Sequence, residues 1–150
     1  MQLNELIKIL IDCFKRGNFV YACGNGGSAA MSSHFCAELM GKFKHMRKPL
    51  PAIALTTDTA FLTAWSNDME LGFEGIFARQ IQALGKKDDV LVAFSTSGKS
   101  INVLYAIEEA KDKGMIVVDM PRIGKDTAER QENQLKMMHQ ICRAIEKEFT

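Results

Sequence analysis

Two turns in this sequence carry the groups that hold an anion, and two helical stretches carry the groups that move protons. Ser95-Thr96-Ser97-Gly98-Lys99-Ser100 places four hydroxyls within six residues. Hydroxyl donors beside the free N–H groups of a helix start are what a phosphate monoester needs. A loop that merely capped a helix would use one of them. The second turn, Cys23-Gly24-Asn25-Gly26-Gly27-Ser28, is glycine-rich and leads from an apolar run into a helical pattern. That setting also favours an anion, because the backbone can approach closely and the helix dipole points at it. Gly-x-Gly-x-x-Gly spacing is absent, and no Gly-Lys-Ser/Thr closes the turn as in a Walker loop. The lesser reading on spacing alone is a tight strand-to-helix turn with Ser28 as N-cap.

His34 and Glu38 are four residues apart in the helical stretch after the glycine-rich turn, so they share one face. Gln131 and His139 are eight apart in the last helical stretch, roughly two turns, and can also face the same way. By themselves such pairs are more often ordinary helix residues than functional ones. Asp68, next to Asn67, reads as a turn residue, and Thr57 or Asp58 as a helix cap. His45 lies in the basic stretch Lys42 to Lys48, which reads as solvated.

These residues are distributed over alternating strands and helices. Leu3 to Phe14 has helical periodicity and ends at Gly17; Phe19 to Cys23 has the apolar content of a buried strand. A helix is expected from Ser28 to about Met40, a strand over Pro51 to Leu55, and helices around Thr59 to Trp65 and Gly72 to Leu84. Val90 to Phe94 is the third strand and runs into the hydroxyl-rich turn. Ile101 to Lys113 is a helix closed by Gly114, Met115 to Val118 the fourth strand, and Thr127 to Phe149 the last helix. Strict alternation of this kind predicts a three-layer α/β fold, a doubly wound, flavodoxin-like parallel sheet with helices on both faces. About eight residues separate the fourth strand from the last helix. A crossover to another parallel strand takes a dozen or more, so a segment is expected to be missing near residues 119–123.

Size and composition narrow the function. A chain of 150 residues with 47% hydrophobic and 25% charged residues can bury one core, so a single domain over 1–150 is expected. The formal net charge is +1 and the basic residues are dispersed, which argues against nucleic acid or an anionic membrane as partner. No apolar run spans a bilayer and the amino terminus reads as an amphipathic helix, so a cytoplasmic protein is expected. Cys13, Cys23, Cys36 and Cys142 lack Cys-x-x-Cys spacing and lie in apolar contexts, where disulfides are not expected.

The pairing of CGNGGS with STSGKS, separated by a strand and by TTDTAFLTAWSND, resembles the sugar isomerase (SIS) domain. Within it, the chain is similar to the phosphoheptose isomerases, also called sedoheptulose-7-phosphate isomerases, from Asn18 to Phe149. The resemblance implies a homotetramer that interconverts sedoheptulose 7-phosphate and D-glycero-D-manno-heptose 7-phosphate, a precursor for heptose in lipopolysaccharide or capsule. It implies a phosphate site made by Asn25, Gly26, Gly27, Ser28, Ser95, Thr96, Ser97 and Ser100. Thr57, Asp58, Asp68 and Gln131 would face the sugar, and His34, Glu38, Gln131 and His139 would surround the reacting carbons and bind zinc. Moving a proton between C1 and C2 through an enediol needs a base at the carbon and a second group serving the oxygens. Glu38 is the candidate base and His139 its partner.

Three features depart from the family pattern. The N-terminal helix is shortened, Lys42 stands where an arginine is usual and lacks its bidentate fork, and the join at Asp119 to Ile123 is short. The alternative is a non-catalytic SIS protein that senses phosphosugars or associates with a replication initiator. Relatives of the latter kind lack the acid-base pair, so Glu38 with His139 favours an enzyme.

Overall fold

The computed structural model describes all 150 residues. Helix α1 (Leu3–Lys15) follows the predicted periodicity, with Leu6, Leu10, Cys13 and Phe14 buried along one face. It stops at Gly17, whose φ of +80° suits a residue without Cβ. Strand β1 (Val20–Cys23), helix α2 (Gly27–Met40), strand β2 (Ala52–Ala54) and helix α3 (Thr59–Asp68) come next. They are followed by α4 (Ile76–Leu84), β3 (Val90–Ala93), α5 (Ile101–Asp112), β4 (Ile116–Asp119) and α6 (Thr127–Glu148).

The expected elements are all present, with two differences of substance. The helix expected from Gly72 is a 3₁₀ turn, Phe73–Gly75, followed by α4. The break falls at Gly75, whose φ of -99° and ψ of 0° depart from helical values, while Gly72 lies so close to α3 that an added Cβ would stand 2.1 Å from the Trp65 carbonyl oxygen. Asn67 and Asp68 belong to the last turn of α3 rather than to a turn between elements.

All four strands are parallel, in the order β2-β1-β3-β4. The central strands β1 and β3 are buried at every residue. That explains why they read as unbroken apolar runs, since a sheet covered on both faces leaves no polar side. Alternate residues point to opposite faces. Val20, Ala22, Val90 and Val92 pack under α1, α2 and α6. Tyr21, Cys23, Leu91 and Ala93 pack against α4 and α5. The result is the expected three-layer α/β fold.

The register aligns Cys23 with Ala93, and Ala93 with Asp119. The turns that leave β1 and β3 therefore emerge side by side where the strand order reverses, the crevice in which open α/β sheets bind ligands. All four cysteines are free and buried. Burial raises Cys13, Cys23 and Cys36 to about 12 and pushes Cys142 up as well, so near neutrality these thiols stay protonated and pack as apolar groups. No helix is long and apolar enough to cross a membrane.

Candidate active site

The turn after β1 passes under the turn after β3 with almost no space between them. A Cβ on Gly24 would stand 2.5 Å from the Phe94 carbonyl oxygen, so only glycine fits. Gly26, with φ +55°, then starts α2 as its N-cap, and Ser28 lies inside the helix, buried, rather than capping it. Asn25 reaches across to Asn102 in the first turn of α5. Their amides exchange hydrogen bonds of 2.8 and 2.9 Å and tie the two turns together.

Between these turns lies a cavity of about 250 Å³. Asn25, Gly27 and Ser28 line one side, and Ser95, Thr96, Ser97 and Ser100 line the other; Thr127 and Gln131 of α6 close it. Gly26, the N-cap of α2, does not line the cavity, although its neighbours Asn25 and Gly27 do. The Ser95 and Ser97 oxygens accept the Gly98 and Lys99 N–H groups, each at 3.0 Å. Their hydroxyl protons are therefore free to donate to a ligand. No charged side chain lines the cavity. An anion there would meet hydroxyls, amides and the positive ends of α2 and α5.

Helix α6 is fastened to the same place. Arg130 Nη1 donates to the Thr96 carbonyl at 2.9 Å, and the buried Gln134 amide donates to the Ser95 and Pro121 carbonyls at 3.3 and 3.2 Å. Gln131 lies flat against Gly27, where a Cβ would stand 2.5 Å from its Nε2.

Further along, α6 meets α2 at a cluster of titratable groups. Glu38 Oε1 is 2.8 Å from His34 Nε2 and 3.8 Å from His139 Nε2, and the two imidazole rings stand edge to face at 5.5 Å. The other Glu38 oxygen, Oε2, is buried and has no hydrogen-bond partner. One donor atom from each of His34, Glu38 and His139 lies within 4.8 Å of the others. Two imidazoles and a carboxylate with an unused oxygen form a donor set that fits a zinc ion.

An anion cradle at the strand ends, next to a His-Glu-His cluster, suits a phosphorylated carbon acid, and known proteins point the same way. A profile for the SIS domain matches residues 1–120. Phosphoheptose isomerase 1 of Campylobacter jejuni is 42% identical over 99% of this chain and 87% of its own length. The chain belongs to the phosphoheptose isomerases. The solved phosphoheptose isomerases of Francisella tularensis and Neisseria gonorrhoeae superpose with TM-scores of 0.89 and 0.88, at 36% and 35% identity, over 97% of this chain and 85% of theirs. Like its relatives, this SIS-domain protein is an isomerase.

In this phosphoheptose isomerase the remaining candidates lie outside the hydroxyl-lined cavity. The Thr57 hydroxyl donates to the Ala54 carbonyl at 3.3 Å, Asp58 caps α3 by accepting the Phe61 N–H at 3.1 Å, and Asp68 accepts from Asn67 at 3.0 Å. Lys42 and His45 are exposed, as expected for that basic stretch. Arg47 is the correction: its side chain is 1% exposed and faces buried Glu146.

The places of Asn102 opposite Asn25, of Thr127 at the cavity and of Arg47 beside Glu146 were not legible in the sequence. Only Glu146 left a trace, as a charge on the apolar stripe Met138, Ile141, Cys142 and Ile145, where burial demands a partner.

Proposed function

We propose that the chain converts sedoheptulose 7-phosphate into D-glycero-D-manno-heptose 7-phosphate. The observation that carries this reading is the position of Glu38, between His34 and His139 and on the helix that starts at the phosphate-type cavity. The C7 phosphate enters the cavity between Ser28 and Ser97. Eight residues of α6, a rise of about 12 Å, separate Gln131 at the cavity from His139. That reach is comparable to a seven-carbon chain stretched from its phosphate to C1.

Glu38 removes the proton from C1 while the C2 carbonyl oxygen gains one, giving the enediol. Return of the proton to C2, with loss of the O1 proton, yields the aldose. His139 serves the oxygens, since imidazole exchanges protons near neutral pH. Gln131, held against Gly27, is assigned to the sugar rather than to a metal, and Thr57, Asp58 and Asp68 to its outer hydroxyls. In a metal-loaded state His34, Glu38 and His139 would hold zinc, which would polarise the carbonyl as a Lewis acid; the proton transfers above are those of Glu38 and His139 free of metal.

The assembly is read as a homotetramer in the cytoplasm, and sedimentation as a stable monomer at micromolar concentration would refute the first part. We also infer a shortened β4–α6 connection. In its support, the alignment with the Campylobacter relative runs over 164 positions against 150 residues here, and the SIS match stops at Met120.

The test is to incubate the protein with a panel of ketose phosphates in deuterated water, with and without zinc. Solvent deuterium at C2 of the heptose product is the expected result. Absence of both turnover and exchange under all conditions would leave a binding protein.

A further inference from the structure

We propose that Arg47 and Glu146 are positioning residues for the proton-transfer pair, clamping the end of α2 that carries Glu38 to the part of α6 that carries His139. This rests on the reading of Glu38 and His139 given above.

Both charges are almost completely buried, with side chains 1% and 3% exposed. Burial on that scale persists only when each charge is well partnered. Arg47 finds its partners at the end of α2, whose last turn has no basic residue. Its Nη2 donates to the carbonyl of Glu38 itself at 2.6 Å, and its Nη1 to the carbonyls of Leu39 and Gly41 at 2.8 and 3.0 Å. The guanidinium thus meets carbonyls at the C-terminal end, and so the negative pole, of the helix that holds the base.

Glu146 finds its partners in the loop between the two. It accepts the N–H groups of Phe43, Lys44 and His45 at 2.8, 2.8 and 2.6 Å, and Arg47 Nε stands 3.8 Å from its Oε2 without a hydrogen bond of its own. The loop in turn touches the other catalytic group. The Phe43 ring, whose own N–H Glu146 holds, packs on the His139 ring at a centroid distance of 5.3 Å. A continuous set of contacts therefore runs from the Glu38 backbone through Arg47, the loop and Glu146 to α6, with a side route through Phe43 to His139. Neither Arg47 nor Glu146 lines the hydroxyl cavity, where α6 is held separately by Arg130 and Gln134. Loosening the clamp should disturb proton transfer and spare phosphate binding.

The experiment compares full-length Glu146→Gln, Arg47→Met and Arg47→Lys with the unaltered protein on sedoheptulose 7-phosphate. It is run well below each thermal midpoint, with folding checked by circular dichroism. The expected result is a loss of kcat of about tenfold or more in the first two, as misplacement of catalytic groups by under an ångström produces. Arg47→Lys should restore part of it. KM, and competitive inhibition by inorganic phosphate, should stay within about twofold. Phe43→Leu keeps the backbone N–H and removes the ring contact, so it tests the same route should a charge variant fail to fold; a loss confined to kcat is again expected.

Folded variants with unchanged kcat would overturn the clamp, as would KM and phosphate inhibition weakening in step with kcat. An unaltered protein without turnover would overturn the reading of the site, and the clamp's role with it.

Discussion

At the phosphate end of the site, Ser95 to Ser100 bring their donors from one short stretch of chain, whereas at the other end His34 and Glu38 meet His139 across two helices far apart in sequence. The first end is made by a turn at the end of a buried strand, and its geometry follows from local backbone plus two helix starts. The second depends on how α2 and α6 cross. A cradle of hydroxyls and N–H groups tolerates small shifts because several donors share the load. A base and its partner separated by 3.8 Å do not share it. Binding should therefore degrade gradually on mutation, and turnover abruptly.

The largest effect that would sharpen this contrast is at Glu38. Glu38→Gln should lower kcat at least a thousandfold, within the range that general acid-base groups supply, while inorganic phosphate still inhibits residual exchange or binds by calorimetry. Substantial turnover would remove Glu38 from the mechanism. Ser97→Ala acts on the opposite end. It should weaken substrate binding by about 1.5–3 kcal/mol, the worth of a hydrogen bond to a charged group, and leave the maximal rate nearly intact. An unchanged KM would break the assignment of the phosphate.

A smaller effect is expected where the two turns are joined. Asn102→Ala removes both hydrogen bonds from the half-buried Asn25 amide and should cost about 0.5–1.5 kcal/mol of stability in denaturant unfolding. The smallest concerns acid. Burial alone would raise the Glu146 pKa, but the N–H groups of Phe43, Lys44 and His45, with Arg47, hold it below the ordinary 4.5. Its contribution to stability is therefore complete above about pH 4.5 and is lost as pH falls further, through the lowered folded value. Unfolding curves of Glu146→Gln should show a shallower loss over that acid range than the unaltered protein. Equal slopes would mean that Glu146 is not a source of acid sensitivity.

The alternation of strands and helices was legible because each central strand is an apolar run bounded by glycines or hydroxyls. The amphipathic helices add their own periodicity, as in Leu6, Leu10, Cys13 and Phe14 of α1. The hydroxyl turn was legible for the same local reason. The split before α4 was not, because it falls at Gly75 as a change of backbone dihedrals that no hydrophobic periodicity records. Arg47 looked like one more solvated cation among Lys42 to Lys48 because its burial depends on Glu146 of α6. Asn102 resembled any polar residue in a first helical turn until Asn25 was found opposite it.

What the amino-acid sequence determined by itself was the set of parts. Near-neighbour sterics and hydrophobic periodicity specified a parallel α/β sheet with two anion-type turns at its strand ends, and the residue types specified acid-base chemistry. Only the tertiary structure decided that Glu38 stands between His34 and His139 with one oxygen unused, and that Arg47 and Glu146 are buried together behind them. Those arrangements depend on the packing of α2 against α6, and distance in space between remote segments is a property of the whole core rather than of any stretch of chain.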